Sequence, residues 1–125
     1  MIGYAMLGTN DLARATAFYD ALLATLGAKP MFPTGNGMVY GVDGPALGIT
    51  RPFDGGTATP GNGTMVALSA SDRASVDAAH AKALALGGVD EGAPGLRGDT
   101  SHGFYAAYFR DLDGNKLCVF RVGPA

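Results

Sequence analysis

Two segments of the chain repeat their apolar residues with the spacing of an α-helix. Each begins at an Asp, a residue that can cap the first turn, and each is followed by a glycine that stops a helix. These signals predict one helix from Asp11 to Leu26, ended by Gly27, and a second from Asp72 to Leu86, ended by Gly87. The apolar residues on their predicted buried stripes are Ala15, Phe18, Tyr19, Leu22, Leu23, Leu26, Val76, Ala79, Ala83 and Leu86.

The two halves of the chain coincide when one is shifted along the other. A shift of 61 residues places the alternating run Tyr4 to Gly8 on the run Met65 to Ser69, and one helix on the other. Each half then ends in an Asp-Gly turn and a strand, and this match needs a shift of 70. The nine extra residues of the second half fall in Asp90 to Gly103, which we predict to be a loop over one end of the sheet. The repetition predicts one small α+β domain built from two strand-helix-strands units.

Glycine and proline divide the chain further. The stretch Arg51 to Gly63 contains six of them and is the expected linker between a first module at about 1–50 and a second at about 64–122 of a single domain. Lys29 to Pro33 has too much proline for a central strand and can form only an edge strand. Gly37 to Val42 and Phe104 to Arg110 are predicted strands, but their register and facing stay open.

Alternation along the first and last strands of each half separates two faces of the predicted sheet. One face is aliphatic in all four strands and is expected to pack beneath the helices. The other face mixes aromatic, sulfur-containing and small residues, and a cavity would form there if the sheet curls away from its helices. Its members are Tyr4, Met6, Gly48, Thr50, Met65, Ala67, Cys118 and Phe120.

Composition and charge exclude several classes of protein. The chain has 125 residues, 47% of them apolar, and a net charge of −2, so no basic surface invites nucleic acid or an anionic membrane. No apolar run approaches a membrane span, and the start at Met1 shows no signal peptide, so a cytoplasmic protein is expected. The single cysteine, Cys118, excludes a disulfide within the chain and a zinc site built from cysteines.

Two motifs, together with the duplication, carry a resemblance to a known family. The segment from Asn10 to Tyr19 reads NDLARATAFY, and the segment from Tyr105 to Leu117 reads YAAYFRDLDGNKL. The sequence resembles the glyoxalase/bleomycin-resistance/extradiol-dioxygenase group, the vicinal oxygen chelate superfamily, although Leu112 stands where proline is usual. The resemblance implies paired βαβββ modules whose sheets form an open cup, with the helices outside, and usually a homodimer with two modules facing each other.

The resemblance also implies where a metal would be held. Enzymes of this family bind a divalent metal through His and Glu on the first and last strands of the modules, and the matching positions here are Tyr4, Gly48, Met65 and Cys118. A phenol, a thioether and one thiol are poor ligands for Fe(II), Mn(II), Zn(II) or Ni(II), and glycine offers no side chain. We therefore expect no metal and no other cofactor, and the metal-dependent activity is not carried over.

Other chemically active residues have structural interpretations. His80 lies on the stripe of the second helix and is interpreted as a histidine at the edge of the packed surface. Asp111 and Asp113 resemble a carboxylate pair, but Asp-x-Asp-Gly-Asn is typical of a turn. Cys118 in an apolar strand is typical of an inert small apolar residue.

His102 lies in the inserted stretch beside Asp99 and Ser101. A Ser-His-Asp triad is held by rigid elements far apart in sequence, so three neighbours in one glycine-rich segment do not favour it. A histidine that lines or gates the cavity is the better functional interpretation.

Three classes of function therefore stay open. The sequence favours a metal-free protein that binds a small apolar or aromatic organic molecule in its cup, with enzyme activity uncertain. One alternative is an enzyme of the same superfamily, either a metal-dependent lyase or dioxygenase with atypical ligands or one using acid-base side chains; another is a structural dimer with a filled cup. The expected ligand-binding residues are Tyr4, Met6, Gly48, Thr50, Met65, Cys118 and Phe120, with His102 and Arg97 closing over them.

Overall fold

The computed structural model describes all residues from Met1 to Ala125 and contains two helices and two four-stranded mixed sheets. The first module comprises β1 (Ala5–Gly8), α1 (Leu12–Ala24), β2 (Lys29–Pro33), β3 (Gly37–Gly41) and β4 (Pro45–Thr50). The second comprises β5 (Val66–Ser69), α2 (Arg73–Ala85), β6 (Val89–Leu96), β7 (Phe104–Arg110) and β8 (Lys116–Val122). The predicted α+β class with two βαβββ modules is confirmed. Neither helix is long and apolar enough to cross a membrane.

The two sheets have the same strand order, and their first and last strands pair in the same register. Their orders are β1-β4-β3-β2 and β5-β8-β7-β6, and the first strand of each runs parallel to the last. Met6 lies opposite Gly48 in one sheet, and Ala67 lies opposite Cys118 in the other. These pairs are related by the shifts of 61 and 70 residues that the sequence predicts, so the duplication is confirmed at the level of individual residues.

Both helices begin at the predicted capping residue. The carboxylates of Asp11 and Asp72 accept hydrogen bonds from the backbone N–H three residues later, at 3.0 and 2.7 Å. The helices end two residues and one residue earlier than predicted. The chain leaves the helical conformation towards Gly27 and Gly87, whose φ angles are 76° and 99° and favour glycine.

The inserted stretch differs from its prediction as a loop. Val89–Leu96 is the edge strand β6, paired with β7 through two register shifts next to Gly92, and only residues 97–103 lie between strands. The extra residues form bulges in this strand. An edge strand tolerates them because one of its sides has no partner strand. Glycine and proline interrupt the alternation of apolar and polar residues in this segment, so the sequence does not indicate a strand. Pairing with β7 nevertheless stabilises one. The proline-rich β2 is an edge strand, as predicted.

The two modules share one hydrophobic core. Helix α1 lies against α2, and the buried residues of both modules form a single cluster of 17. The aliphatic faces of the sheets point into it, as predicted. The two modules of one chain therefore pack against each other on the side of their helices. Core residues supplied by the strands are Leu7, Tyr40, Leu47, Ile49, Ala107, Phe109, Leu117 and Val119.

A buried carboxylate joins the turn between β7 and β8 to the first module. Asp111 accepts hydrogen bonds from the Tyr19 hydroxyl at 2.6 Å and from Nδ2 of Asn115 at 3.0 Å. It also accepts from the backbone N–H groups of Asp113 and Asn115, each at 2.9 Å. Nδ2 of Asn115 lies 2.9 Å from the carbonyl oxygen of Gly8 in β1. The interpretation of this segment as a structural turn is confirmed.

Candidate functional site

The face of each sheet opposite the helices forms the candidate site, and we call these the first and second cup faces. On the first cup face, formed by β1 to β4, Val39 and Met6 flank Gly48 on the neighbouring strands. The thioether of Met6 occupies the space that a side chain at Gly48 would need. Met6 keeps 42% of its surface exposed, and Tyr4, just before β1, keeps 59%. The first cup face is therefore shallow and apolar.

The second cup face, formed by β5 to β8, is fixed by the pairing of β7 with β8. Tyr108 lies opposite Cys118, and Ala106 lies opposite Phe120. The rings of Phe104 and Phe120 are 5.6 Å apart at an interplanar angle of 34°. Since side chains alternate along a strand, these residues share a face that the sequence alone could not assign. The face therefore offers aromatic surface along much of its length.

Two cations lie against the ring of Tyr108. The guanidinium carbon of Arg97 is 5.5 Å from the ring centroid, and Nζ of Lys116 is 5.8 Å from it. Arg97 is held by hydrogen bonds to the carbonyls of Ala93 and Leu96. A Cβ at position 95 would lie 3.0 Å from Nη1 of Arg97, so the absent side chain of that glycine leaves room for the guanidinium. Arg97 therefore lies over the ring of Tyr108 on this face.

A cavity of about 600 Å³ opens where the linker meets β7 and β8. Residues 60–65 form one wall, and the side chains of Arg110 and Lys116 contribute to the other. Nε of Arg110 lies 2.8 Å from a carboxylate oxygen of Glu91, and its Nη1 donates to the carbonyl of Gly114 at 3.1 Å. No acidic residue lines the cavity itself. It is therefore a polar space with positive charge on one side.

Cys118 lies beneath this face rather than on its open surface. Its side chain is about 1% exposed and is not part of the core beneath the helices. Burial raises the pKa of the Cys118 thiol, while a hydrogen bond from Tyr108 and the charges of Arg97 and Lys116 act in the opposite direction. Since the net shift is upward, the thiol stays protonated at neutral pH and is a poor nucleophile.

The metal that the resemblance implies does not fit these residues. Tyr4 supplies a phenol at the edge of the first cup face, while the neighbouring Gly48 position is covered by a thioether. Met65 and the buried thiol of Cys118 stand at the matching positions of the second module. No three His, Cys, Asp or Glu side chains anywhere in the chain converge on a point where they could hold a metal ion. No step of chemistry is therefore derived through a metal.

Neither histidine belongs to a catalytic arrangement. His102 is exposed at the end of a short 3₁₀ turn, and Asp99 caps that turn by accepting a hydrogen bond from the backbone N–H of Ser101 at 2.9 Å. Hydrogen bonding from Ser101 lowers the pKa of the Asp99 carboxyl. His80 is buried, and its Nε2 lies 3.0 Å from Oδ1 of Asp90, so the interpretation of His80 as a packing residue is confirmed.

Apart from His102, the expected ligand-binding residues lie on or beside the two cup faces, but few of them line an enclosed space. Of these residues, only Met65 lines the polar cavity beside Lys116, and it also lines a second cavity. This second cavity is an apolar cleft of about 540 Å³ between the modules, lined by β5, the start of β1 and the end of α1. Gly48 and Cys118 are buried, Tyr4, Met6, Met65 and His102 are exposed, and Thr50, Phe120 and Arg97 are partly buried. In a single chain, the predicted site is therefore an open surface.

The charge of the second cup face is not evident from the sequence. The sequence predicts a largely apolar cup with a few polar groups, whereas Arg97, Arg110 and Lys116 all lie on or beside this face. A step of two residues back from Cys118 would have identified Lys116, because alternate residues share a face. Tyr108 and Arg110 required the register of β7 against β8, which the sequence left open.

Comparisons with known proteins agree with this architecture. A model of the glyoxalase/bleomycin resistance protein/dioxygenase superfamily matches residues 1–119. A glyoxalase/bleomycin resistance protein from Albidiferax ferrireducens T118 is 41% identical, with 96% of this chain and 97% of that chain covered and a TM-score of 0.86. A lactoylglutathione lyase from Agrobacterium tumefaciens is 24% identical over 96% of this chain and 92% of that chain, with a TM-score of 0.65, and shows likeness of fold. No curated protein matches the sequence significantly. The chain belongs to the glyoxalase/bleomycin resistance protein/dioxygenase superfamily.

Proposed function

We propose that this protein binds a small aromatic or otherwise apolar organic molecule on a cup face, without a metal ion. The observation that carries the proposal is that Tyr4, Gly48, Met65 and Cys118 stand at the metal-ligand positions, while the second cup face has an aromatic surface and an adjoining cavity. A cavity of about 600 Å³ has the volume typical of sites for small organic molecules.

A homodimer is part of the proposal, because a single chain leaves both cup faces uncovered. Large apolar side chains are exposed along the start of the chain, on the linker and at the start of β5, and such surface is typical of an interaction site. In a two-fold dimer, the first cup face of one protomer would cover the second cup face of its partner and enclose the ligand. The exposed side chains concerned are Met1, Ile2, Tyr4, Met6, Phe53 and Met65.

Sedimentation velocity tests the dimer. We expect a dimer at micromolar concentration, and we expect Met6→Glu to shift it towards monomer because the substitution places a charge in the proposed interface. Leu84→Glu on α2, at the opposite side of the sheet, is the matched control and should leave the assembly unchanged. A wild-type monomer at micromolar concentration would contradict this part of the proposal.

Ligand binding is tested by a thermal-shift screen of aromatic and apolar compounds, followed by mapping of the amide chemical shifts that each hit perturbs. A ligand of micromolar affinity at a hundredfold excess over its Kd should stabilise the folded state by about 2.7 kcal/mol. We expect the perturbed amides to lie on β7, β8 and residues 60–65, and we expect Met65→Glu to abolish binding while Leu84→Glu does not. A screen without hits, or hits confined to the apolar cleft between the modules, would refute binding on the cup face.

A further inference from the structure

The positive charges of the second cup face are incompletely neutralised. Glu91 pairs with Arg110, whereas Arg97 and Lys116 belong to no ion pair in the structure. Lys116 also makes no side-chain hydrogen bond, although it is half-buried beside Tyr108. Since the whole chain has a net charge of −2, this local excess of cations runs against the overall charge. Arg97 and Lys116 therefore carry positive charge beside the ring of Tyr108 that no carboxylate of the chain pairs with.

The cavity beside Lys116 has the chemistry of an anion site. Arg110 and Lys116 supply its cations, and Asn62 and Thr64 supply neutral polar side chains. An ammonium or guanidinium group forms its strongest hydrogen bonds with an ionised oxygen acceptor, whereas a neutral acceptor gains about half as much. An anion in this cavity would give Lys116 the partner that the chain does not provide.

The aromatic part of the face lies directly beside these charges. Tyr108 contacts both Arg97 and Lys116, and the paired rings of Phe104 and Phe120 extend the surface away from the cavity. We infer that the ligand is an organic anion with a flat aromatic group and a carboxylate. The carboxylate lies at Lys116, with Arg97 and Arg110 nearby, and the ring lies along Tyr108. The inference rests on the small-molecule binding proposed above and names the chemical class of the ligand.

Charge selectivity is tested with four probes of matched shape or charge: 2-naphthoate, 2-naphthamide, 2-naphthylmethylamine and inorganic phosphate. Their dissociation constants would be measured by titrating the isotope-labelled protein and following its amide chemical shifts. We expect 2-naphthoate to bind on the order of tenfold more tightly than the amide, the amine to bind more weakly than the amide, and phosphate to bind weakly because it offers no ring. Raising the salt concentration should reduce the preference for the carboxylate.

Variants identify which cation causes the preference for the carboxylate over the amide. Lys116→Gln should remove most of the difference between 2-naphthoate and the amide without weakening the amide, and Lys116→Arg should preserve it. Lys29→Gln, on the exposed edge strand β2, is the matched control and should change nothing. If Lys116→Gln does not fold, Arg97→Gln provides the same comparison.

Four results would overturn the inference. Equal binding of 2-naphthoate and the amide, or a preference that survives in both Lys116→Gln and Arg97→Gln, would show that these cations do not select the ligand while leaving small-molecule binding intact. Inorganic phosphate binding as tightly as 2-naphthoate would show a bare anion site. Failure of every naphthalene probe to bind would refute the inference together with the proposed function.

Discussion

Replacement of Asp111 by Asn tests how the second module is held to the first. The carboxylate is 4% exposed and accepts four hydrogen bonds, of which the one from Tyr19 crosses from one module to the other. An amide has nearly the same shape, but its NH₂ group can only donate. The substitution therefore leaves donors without acceptors around a buried position and removes the negative charge that attracts them.

The expected loss in the free energy of unfolding follows from these hydrogen bonds. A hydrogen bond to a charged group contributes about 1.5–3 kcal/mol, and each buried donor left without a partner costs about 1–3 kcal/mol. The carbonyl oxygen of Asn can still accept some of these hydrogen bonds. We therefore expect Asp111→Asn to lower the free energy of unfolding by about 3–5 kcal/mol. That is a large share of the roughly 5–15 kcal/mol typical of a domain. Tyr19→Phe removes one donor and leaves its ring packed, so a loss of about 1–2 kcal/mol is expected.

Urea unfolding of the single and double variants measures these values. Because Tyr19 and Asp111 share one hydrogen bond, the double variant should lose less stability than the sum of the single variants. Asp43→Asn is the matched control, since Asp43 occupies the corresponding exposed Asp-Gly turn of the first module and makes no side-chain hydrogen bond. A loss for Asp111→Asn no larger than that for Asp43→Asn, or fully additive variants, would refute this account of the turn.

Two further predictions concern titratable groups. Burial, followed by the nearby carboxylates, raises the pKa of Tyr19 and Tyr40 above the usual value, so the stability they contribute is fully present below about pH 10 and lost as pH rises further. Above that pH, the free energy of unfolding of the wild type should fall more steeply with pH than that of Tyr19→Phe. Equal slopes for the two proteins would contradict the raised pKa of Tyr19. A disulfide reagent should modify Cys118 on the order of a hundredfold more slowly in the folded protein than in denaturant, because the thiol is buried and protonated. Rapid labelling of the folded protein would contradict the burial of this thiol.

The sequence predicts the fold well because its signals are local and repeated. A capping Asp, a periodic apolar stripe and a terminating glycine define each helix, and the second copy of the pattern confirms the first. The shifts also predict which positions of the two modules correspond, since Met6 and Gly48 in one sheet have counterparts in Ala67 and Cys118 in the other. These features depend on neighbours along the chain or on the duplication itself.

The chemistry of the second cup face depends instead on contacts between distant residues. The position of Tyr108 requires the register of β7 against β8, and the approach of Arg97 depends on the irregular edge strand β6. The sequence predicts a loop at that edge. It therefore identifies Arg97 as a ligand-binding residue but not the surface on which Arg97 lies. It likewise misses the connection from Asp111 to Tyr19, two residues 92 positions apart that each have an ordinary local role.

The metal content of the purified protein tests most directly whether this chain has left the metal-dependent chemistry of its superfamily. The protein would be purified without chelators, dialysed against metal-free buffer and examined by elemental analysis, beside a Cys118→Ser variant. We expect far less than one ion of Fe, Mn, Ni or Zn per chain in both proteins, because Tyr4, Gly48, Met65 and Cys118 do not form a ligand set for these metals. One tightly bound ion per chain in the wild type would contradict the account and restore a metal-dependent enzyme, and its loss in Cys118→Ser would identify Cys118 as a ligand.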